Sequence, residues 1–149
     1  MCFIDDCTRY AVSITAHRRV STPAVVAAFQ AACEAHGRPA STLTDNGMVF
    51  TTRFSGHPGR NGFEALLAVW HIVQINGRGG HPQTQGKVER FQLTLKKWLR
   101  AQPDQPTTIT DLQALLNLRN LANEGQVDAT ALRQFQRLFE YLGLPRAQL

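Results

Sequence analysis

Apolar residues recur at Val88, Phe91, Leu95, Trp98 and Leu99, the three-and-four spacing that puts side chains on one face of a helix. A Gly/Pro/Thr-rich lead-in, His81-Pro82-Gln83-Thr84-Gln85-Gly86, gives that helix its start. At about 100° per residue, Gln85, Glu89, Gln92, Lys96 and Arg100 form a neighbouring stripe, so one carboxylate is followed by amides and cations along a single face. Lys87, Arg90 and Lys97 form a second basic strip further round.

The preceding chain reads as an alternation of short strands and helices. Two apolar runs, Cys2-Phe3-Ile4 and residues 10–16, flank Asp5-Asp6-Cys7-Thr8-Arg9, which predicts a hairpin. Ser21-Thr22-Pro23 opens a helix with a hydroxyl cap and a proline in the first turn; Val25, Val26, Phe29, Ala32 and Cys33 are its core face, and Gly37 closes it. A short strand over 39–44 runs into Asp45-Asn46-Gly47, placing Asp45 where the chain turns. A loop over 51–62 carries Arg53, His57 and Arg60. A short helix with Phe63, Leu66, Leu67 and Trp70 facing inward follows, then a strand over 72–75 and a glycine-rich approach over 76–80.

Beyond the organising helix, residues 103–108 form a linker. Thr110 and Gln113 fit a capping box, and Leu112, Leu115 and Leu116 begin another helical face. Leu132, Phe135, Leu138, Phe139 and Leu142 predict a last helix, stopped by Gly143 and Pro145. The expected division is a core over 1–102 and a linker with carboxyl-terminal helices over 103–149.

A chain of 149 residues with 43% hydrophobic content suits one globular domain with a sizeable core. No run of eighteen apolar residues and no signal peptide is present, so the expectation is a cytoplasmic protein with no membrane partner. Cys2, Cys7 and Cys33 are an odd set, best read as reduced thiols, and His17, His36, His57, His71 and His81 lack the paired spacing of a zinc site. The net charge of +5 is uneven: residues 1–100 hold twelve Lys/Arg against six Asp/Glu, and residues 101–149 hold four against five. The positive excess therefore sits with the candidate site and favours a polyanionic partner such as nucleic acid.

The candidate chemistry pairs a strand-end Asp45 with a helix-borne Glu89. Two neighbouring carboxylates repel unless protonated or bridged by a cation. A hard divalent ion, Mg²⁺ or Mn²⁺, accepts their oxygens while keeping room for phosphate oxygens, and two such ions support in-line phosphodiester displacement. Two carboxylates balance only part of that charge, so a third acidic ligand is expected. Asp-Asn-Gly alone also marks ordinary turns, and residues 77–86 lack the Lys-Ser/Thr ending of a phosphate-binding loop. Trp70 and Trp98 read as core residues rather than base-stacking ones. Lys96, Lys97 and Arg100 fit either a solubilising surface or phosphate contacts.

Ile4-Asp5-Asp6-Cys7-Thr8-Arg9-Tyr10, then Thr44-Asp45-Asn46-Gly47-Met48-Val49-Phe50, then Asn76-Gly77-Arg78 with residues 81–91, together resemble the integrase core of DDE transposases from bacterial insertion sequences. The resemblance runs in order from about residue 3 to residue 116. It implies a ribonuclease H-like α/β fold, a mixed sheet flanked by helices. It also implies two Mg²⁺ ions and cutting and joining of transposon-end DNA. By the same resemblance Asp45 matches the second acidic residue of the triad and Glu89 the third. Asp5 and Asp6 match a turn that is not the metal-binding position. The first catalytic Asp, its strand and any amino-terminal DNA-binding helices are then missing from this sequence. After residues 112–116 the family's Tyr-Asn and Arg-Pro-His segment is absent, so the last helix is either a replacement or the product of a shifted frame. A truncated copy accounts for both ends; a misassigned start codon accounts for the first.

Two functional classes follow. One is a metal-dependent DNA strand-transfer enzyme with Asp45 and Glu89 as catalytic metal ligands. In it Gln83, Gln85, Lys87, Arg90, Lys96, Lys97 and Arg100 face DNA, both transposon ends and target, in a possible homo-oligomer. The other is a catalytically silent module that binds DNA or pairs with full-length transposase.

Overall fold

The opening hairpin forms as the alternation predicts: β1 (Cys2–Phe3) pairs antiparallel with β2 (Ser13–Ile14), Cys2 opposite Ile14 and Phe3 opposite Ser13. The computed structural model describes residues 1–56, 58–77 and 86–123. In chain order the remaining elements are α1 (Thr22–His36), β3 (Ser41–Thr44), α2 (Gly62–Val69), β4 (Val73–Asn76), α3 (Gly86–Arg100) and α4 (Ile109–Asn123). The predicted last helix over 132–142, and His57, His81, Gln83 and Gln85, lie outside the described residues.

Helix α1 begins and ends where the sequence places its signals. Ser21 Oγ accepts from the Ala24 N–H, proline stands in the first turn, and Gly37 adopts φ 88°, its N–H donating to the Cys33 carbonyl. Val25, Phe29, Ala32 and Cys33 are buried as predicted and Ala28 joins them, while Val26 is half-buried.

Around α1 lies the main core: Val25, Phe29, Cys33, Phe63, Leu67 and Ile72, with Phe3, Phe50, Leu66 and Trp70 packed on it. Phe29 and Phe63 meet edge-to-face at 5.3 Å, Phe3 reaches Phe29 at 5.4 Å and Phe50 reaches Phe63 at 5.9 Å. Such offset geometries add to the area these rings bury. Trp70 belongs to this core, with the Arg38 guanidinium over its ring.

β3 and β4 pair in parallel, Ser41 opposite Val73 through Thr44 opposite Asn76, one residue later than the predicted second strand. A parallel pair needs a crossover connection, and residues 45–72 with α2 supply it. The two faces of this pair are unequal. Thr44, Gln74 and Asn76 form a polar face linked side chain to side chain, whereas Leu43, Val73 and Ile75 on the other are 42%, 61% and 48% exposed. Among the described residues the strands form two separate two-stranded sheets.

The second core joins the hairpin to the last two helices: Ala11, Ile14 and Leu116 are buried, and Phe91, Leu95, Leu99 and Leu112 pack against them. The phase of α3 is as predicted, since Val88, Phe91, Leu95, Trp98 and Leu99 are its less exposed positions, but all five are half-buried. A helix face is buried only as far as its neighbours cover it, and here the cover is the narrow hairpin and α4.

The start of α4 differs from expectation. Thr108 Oγ1 accepts from the Asp111 N–H and Asp111 Oδ2 accepts from the Thr108 N–H, so the capping box is Thr108 with Asp111, not Thr110 with Gln113. Gln113 is occupied elsewhere. Its Oε1 accepts from the Ala16 N–H at 2.7 Å, and its Nε2 donates to the Ile14 carbonyl at 3.0 Å and to Asn117 Oδ1 at 2.8 Å. One side chain thereby ties α4 to the end of β2.

Candidate functional site

Asp45 leaves the carboxyl end of β3, where the sequence places it, and is exposed. Its Oδ1 accepts from the Gly47 N–H at 2.8 Å, which folds residues 45–47 into a tight turn. Glycine lets the carboxylate sit this close: a Cβ at residue 47 would stand 2.8 Å from Asp45 Oδ1, inside van der Waals contact, and would turn that side chain away. Asn46 Nδ2 donates to the Gly77 carbonyl at 2.9 Å, and the Gly77 N–H donates to the Thr44 carbonyl at 2.9 Å. Two of the sequence motifs, residues 44–47 and 76–77, are therefore clasped together beside the end of the parallel pair.

The loop after this turn is anchored by a carboxylate that sequence reasoning missed. Thr51 Oγ1 and the Thr52 N–H donate to Glu64 Oε1, and Thr52 Oγ1 and the Asn61 N–H donate to Glu64 Oε2. Burial pushes the Glu64 carboxyl upward, but those hydrogen bonds outweigh it and hold the group below the ordinary glutamate range. Asn61 completes a capping box with Glu64, and its Nδ2 donates to the Met48 carbonyl. The signal was present in Asn61-Gly62-Phe63-Glu64, a cap residue followed three positions later by Glu. With both oxygens engaged, Glu64 is a brace for the loop, not a free ligand.

Glu89 sits in the first turn of α3, exposed, and forms no hydrogen bond or ion pair with a described residue. Asp45 and Glu89 are the hard oxygen donors that Mg²⁺ or Mn²⁺ prefers. No hydrogen bond joins the two, and among the described residues no three His, Cys, Asp or Glu gather in a group that could hold a metal ion. Two carboxylates would balance half the charge of two divalent ions.

Asp5 Oδ2 accepts from the Thr8 N–H and hydroxyl, closing the hairpin turn and holding its carboxyl below the usual range, while Arg9 takes a left-handed φ of 66°. Asp6 Oδ1 then meets Lys87 Nζ at 2.6 Å and Arg9 at 3.4 Å; the Lys87 hydrogen bond is the main reason its carboxyl is lowered too. Ile4, Arg9, Gly86, Lys87, Arg90 and Phe91 line an open cleft of about 520 Å³ between the hairpin and the start of α3. Arg90, Lys96, Lys97 and Arg100 are exposed and make no ion pair with a described residue, and Gln92 points its amide at Cys2 Sγ, 4.0 Å away.

Cys2, Cys7 and Cys33 are free thiols, and burial raises the Cys2 and Cys33 thiols. Among the described residues no helix is long and apolar enough to cross a membrane.

No family model matches the chain. Over 95 residues, 64% of its length, it is 34% identical to the Gag-Pol polyprotein of Rous sarcoma virus subgroup C (strain Prague). Over the same extent it is 33% identical to the Gag-Pol polyproteins of Rous sarcoma virus subgroup B (strain Schmidt-Ruppin) and avian leukosis virus subgroup A (isolate RSA). In each case the aligned stretch is 5% of the viral polyprotein. This chain is therefore similar to one small segment of retroviral Gag-Pol polyproteins.

Proposed function

We propose that the chain is the catalytic-core portion of an integrase or transposase, a domain of ribonuclease H-like fold that handles DNA ends through divalent metal ions. Asp45 and Glu89 are two of its acidic ligands, and the basic strips of α3 face the DNA. The observation that carries this reading is a coincidence: the sequence motifs at 4–10, 44–50, 76–78 and 81–91 follow the integrase-core order in a chain that is similar to retroviral Gag-Pol over 95 residues. The local geometry fits it. Ligands of open α/β sheets bind off the carboxyl ends of strands, where Asp45 stands, and the net positive charge of residues 1–100 suits a phosphate backbone. Within the class, the motif wording favours bacterial insertion-sequence transposases, working as a homo-oligomer on transposon ends and target DNA.

The test is cleavage of labelled duplex by the purified chain with Mg²⁺ or Mn²⁺. The reading predicts metal-dependent nicking that Asp45→Asn and Glu89→Gln each abolish. Nicking that survives both variants overturns it.

A second reading is favoured by one observation, that the described residues assemble no three-ligand group. On this reading the chain is a silent module that binds DNA or pairs with a full-length transposase. DNA binding that persists without any metal-dependent nicking selects it.

A further inference from the structure

The cleft between the hairpin turn and α3 is lined by three cations from two elements, Arg9, Lys87 and Arg90, and the carboxylate of Asp6 pairs with the first two. Lys87 and Arg90 are three residues apart on α3 and share a face, and Arg9 is held toward them from the hairpin. Asp6 engages Lys87 and Arg9 but leaves Arg90 without a described partner, so the walls keep a positive excess. Other nearby charges do not cancel it: Asp5 is turned into the hairpin by Thr8, and Glu89, exposed on the same helix and like Asp6 not a lining residue, still leaves three cations against two carboxylates. Two basic side chains that could each take a phosphate oxygen are thus occupied by an internal carboxylate at the surface.

We propose that this cleft seats one backbone phosphate of bound DNA and that Asp6 is its built-in competitor, released from Lys87 and Arg9 when the phosphate enters. The proposal rests on the nucleic-acid reading above and adds to it Arg9, Asp6 and the sign of the Asp6 effect. Removing an exposed acidic residue from a structural ion pair should weaken a protein; removing a competitor should strengthen binding. The phosphate oxygens would take the place of Asp6 Oδ1, trading one charge-assisted contact for another with Arg90 added.

The experiment is fluorescence anisotropy of the full chain with a labelled duplex over a range of KCl, in EDTA so that metal plays no part. Asp6→Asn is expected to tighten binding by roughly threefold or more, the effect of one unit charge about 6 Å from a phosphate in near-aqueous dielectric. Arg9→Ala is expected to weaken it and to lower the slope of log affinity against log salt by about one. Arg9→Gln repeats the charge loss with the side-chain bulk kept, and far-UV circular dichroism verifies folding of each variant. Unchanged or weaker binding by folded Asp6→Asn overturns the proposal. Inorganic phosphate replacing KCl at equal ionic strength competes for the same seat: greater loss of DNA from the wild type than from Arg9→Ala supports a backbone phosphate held in the cleft, whereas equal loss from both marks a general anion effect and overturns the proposal. If the wild type binds no duplex at low salt, the functional reading itself fails; if it binds and both variants match it, the cleft proposal alone fails.

Discussion

Replacing Gly47 with alanine should separate function from stability. The new Cβ would lie 2.8 Å from Asp45 Oδ1, and the atom it meets is the free end of a side chain, so the carboxylate swings away from the Gly47 N–H and the backbone stays. One exposed hydrogen bond is lost, worth about 0.5–1.5 kcal/mol. Against that, alanine reduces the freedom of the unfolded chain by about 0.4–1 kcal/mol where the backbone accepts it. Gly47 is not among the glycines with positive φ, so acceptance is expected. The two terms leave a net change within about 1 kcal/mol, a melting shift of a few degrees. Metal affinity should respond far more, because a ligand released from its orienting partner typically costs about 10–100-fold. Isothermal titration with Mn²⁺ and thermal unfolding of the same preparations measure both. Unaltered Mn²⁺ affinity, or a stability loss above about 3 kcal/mol, the size of a disrupted core rather than a turned surface side chain, would refute the reasoning.

Other consequences are independent of metal. The Glu64 carboxyl is held below its ordinary value, so its stabilisation is fully present above the unfolded pKa near 4.5 and is lost as pH falls through the lower folded value; Glu64→Gln should flatten that acid limb in denaturation midpoints measured from neutral to acidic pH. Gln113→Ala removes both ties to β2 and leaves the part-buried Ala16 N–H unpaired, costing about 1–3 kcal/mol by urea unfolding. Phe63, fully buried between Phe29 and Phe50, should cost about 3–5 kcal/mol as alanine by the same measurement.

What could be read from the chain alone was whatever depends on neighbours in sequence. Ser21 and Gly37 bound α1 because capping is local, and the apolar face of α3 has the right phase because 3.6 residues make a turn wherever the helix sits. How deeply that face is buried is a property of what packs on it, which periodicity does not encode. The role of Gln113 is not local, since its partners, Ile14 and Ala16, are 99 and 97 residues away, and a local pattern suggests a cap instead. The Asp6–Lys87 pair spans 81 residues and was equally invisible, so Arg9 was passed over as a turn residue although it lines the same cleft as two predicted DNA contacts. The Glu64 capping box is local too, written within the four consecutive residues Asn61 to Glu64. Asp45 was legible because Asp-Asn-Gly describes its turn, while the closure of that turn by Gly77 needed the parallel pairing of β3 with β4.

The central claim, that Asp45 and Glu89 share a divalent cation, is most directly tested by titrating Mn²⁺ into the isotopically labelled chain and following paramagnetic broadening of backbone amides. The account predicts that Asn46 and Gly47 on one side, and Glu89 and Arg90 on the other, broaden together at the same Mn²⁺ concentration, and that Asp45→Asn abolishes both effects. Broadening confined to one of the two segments, or persisting at Glu89 in the Asp45→Asn variant, would contradict it.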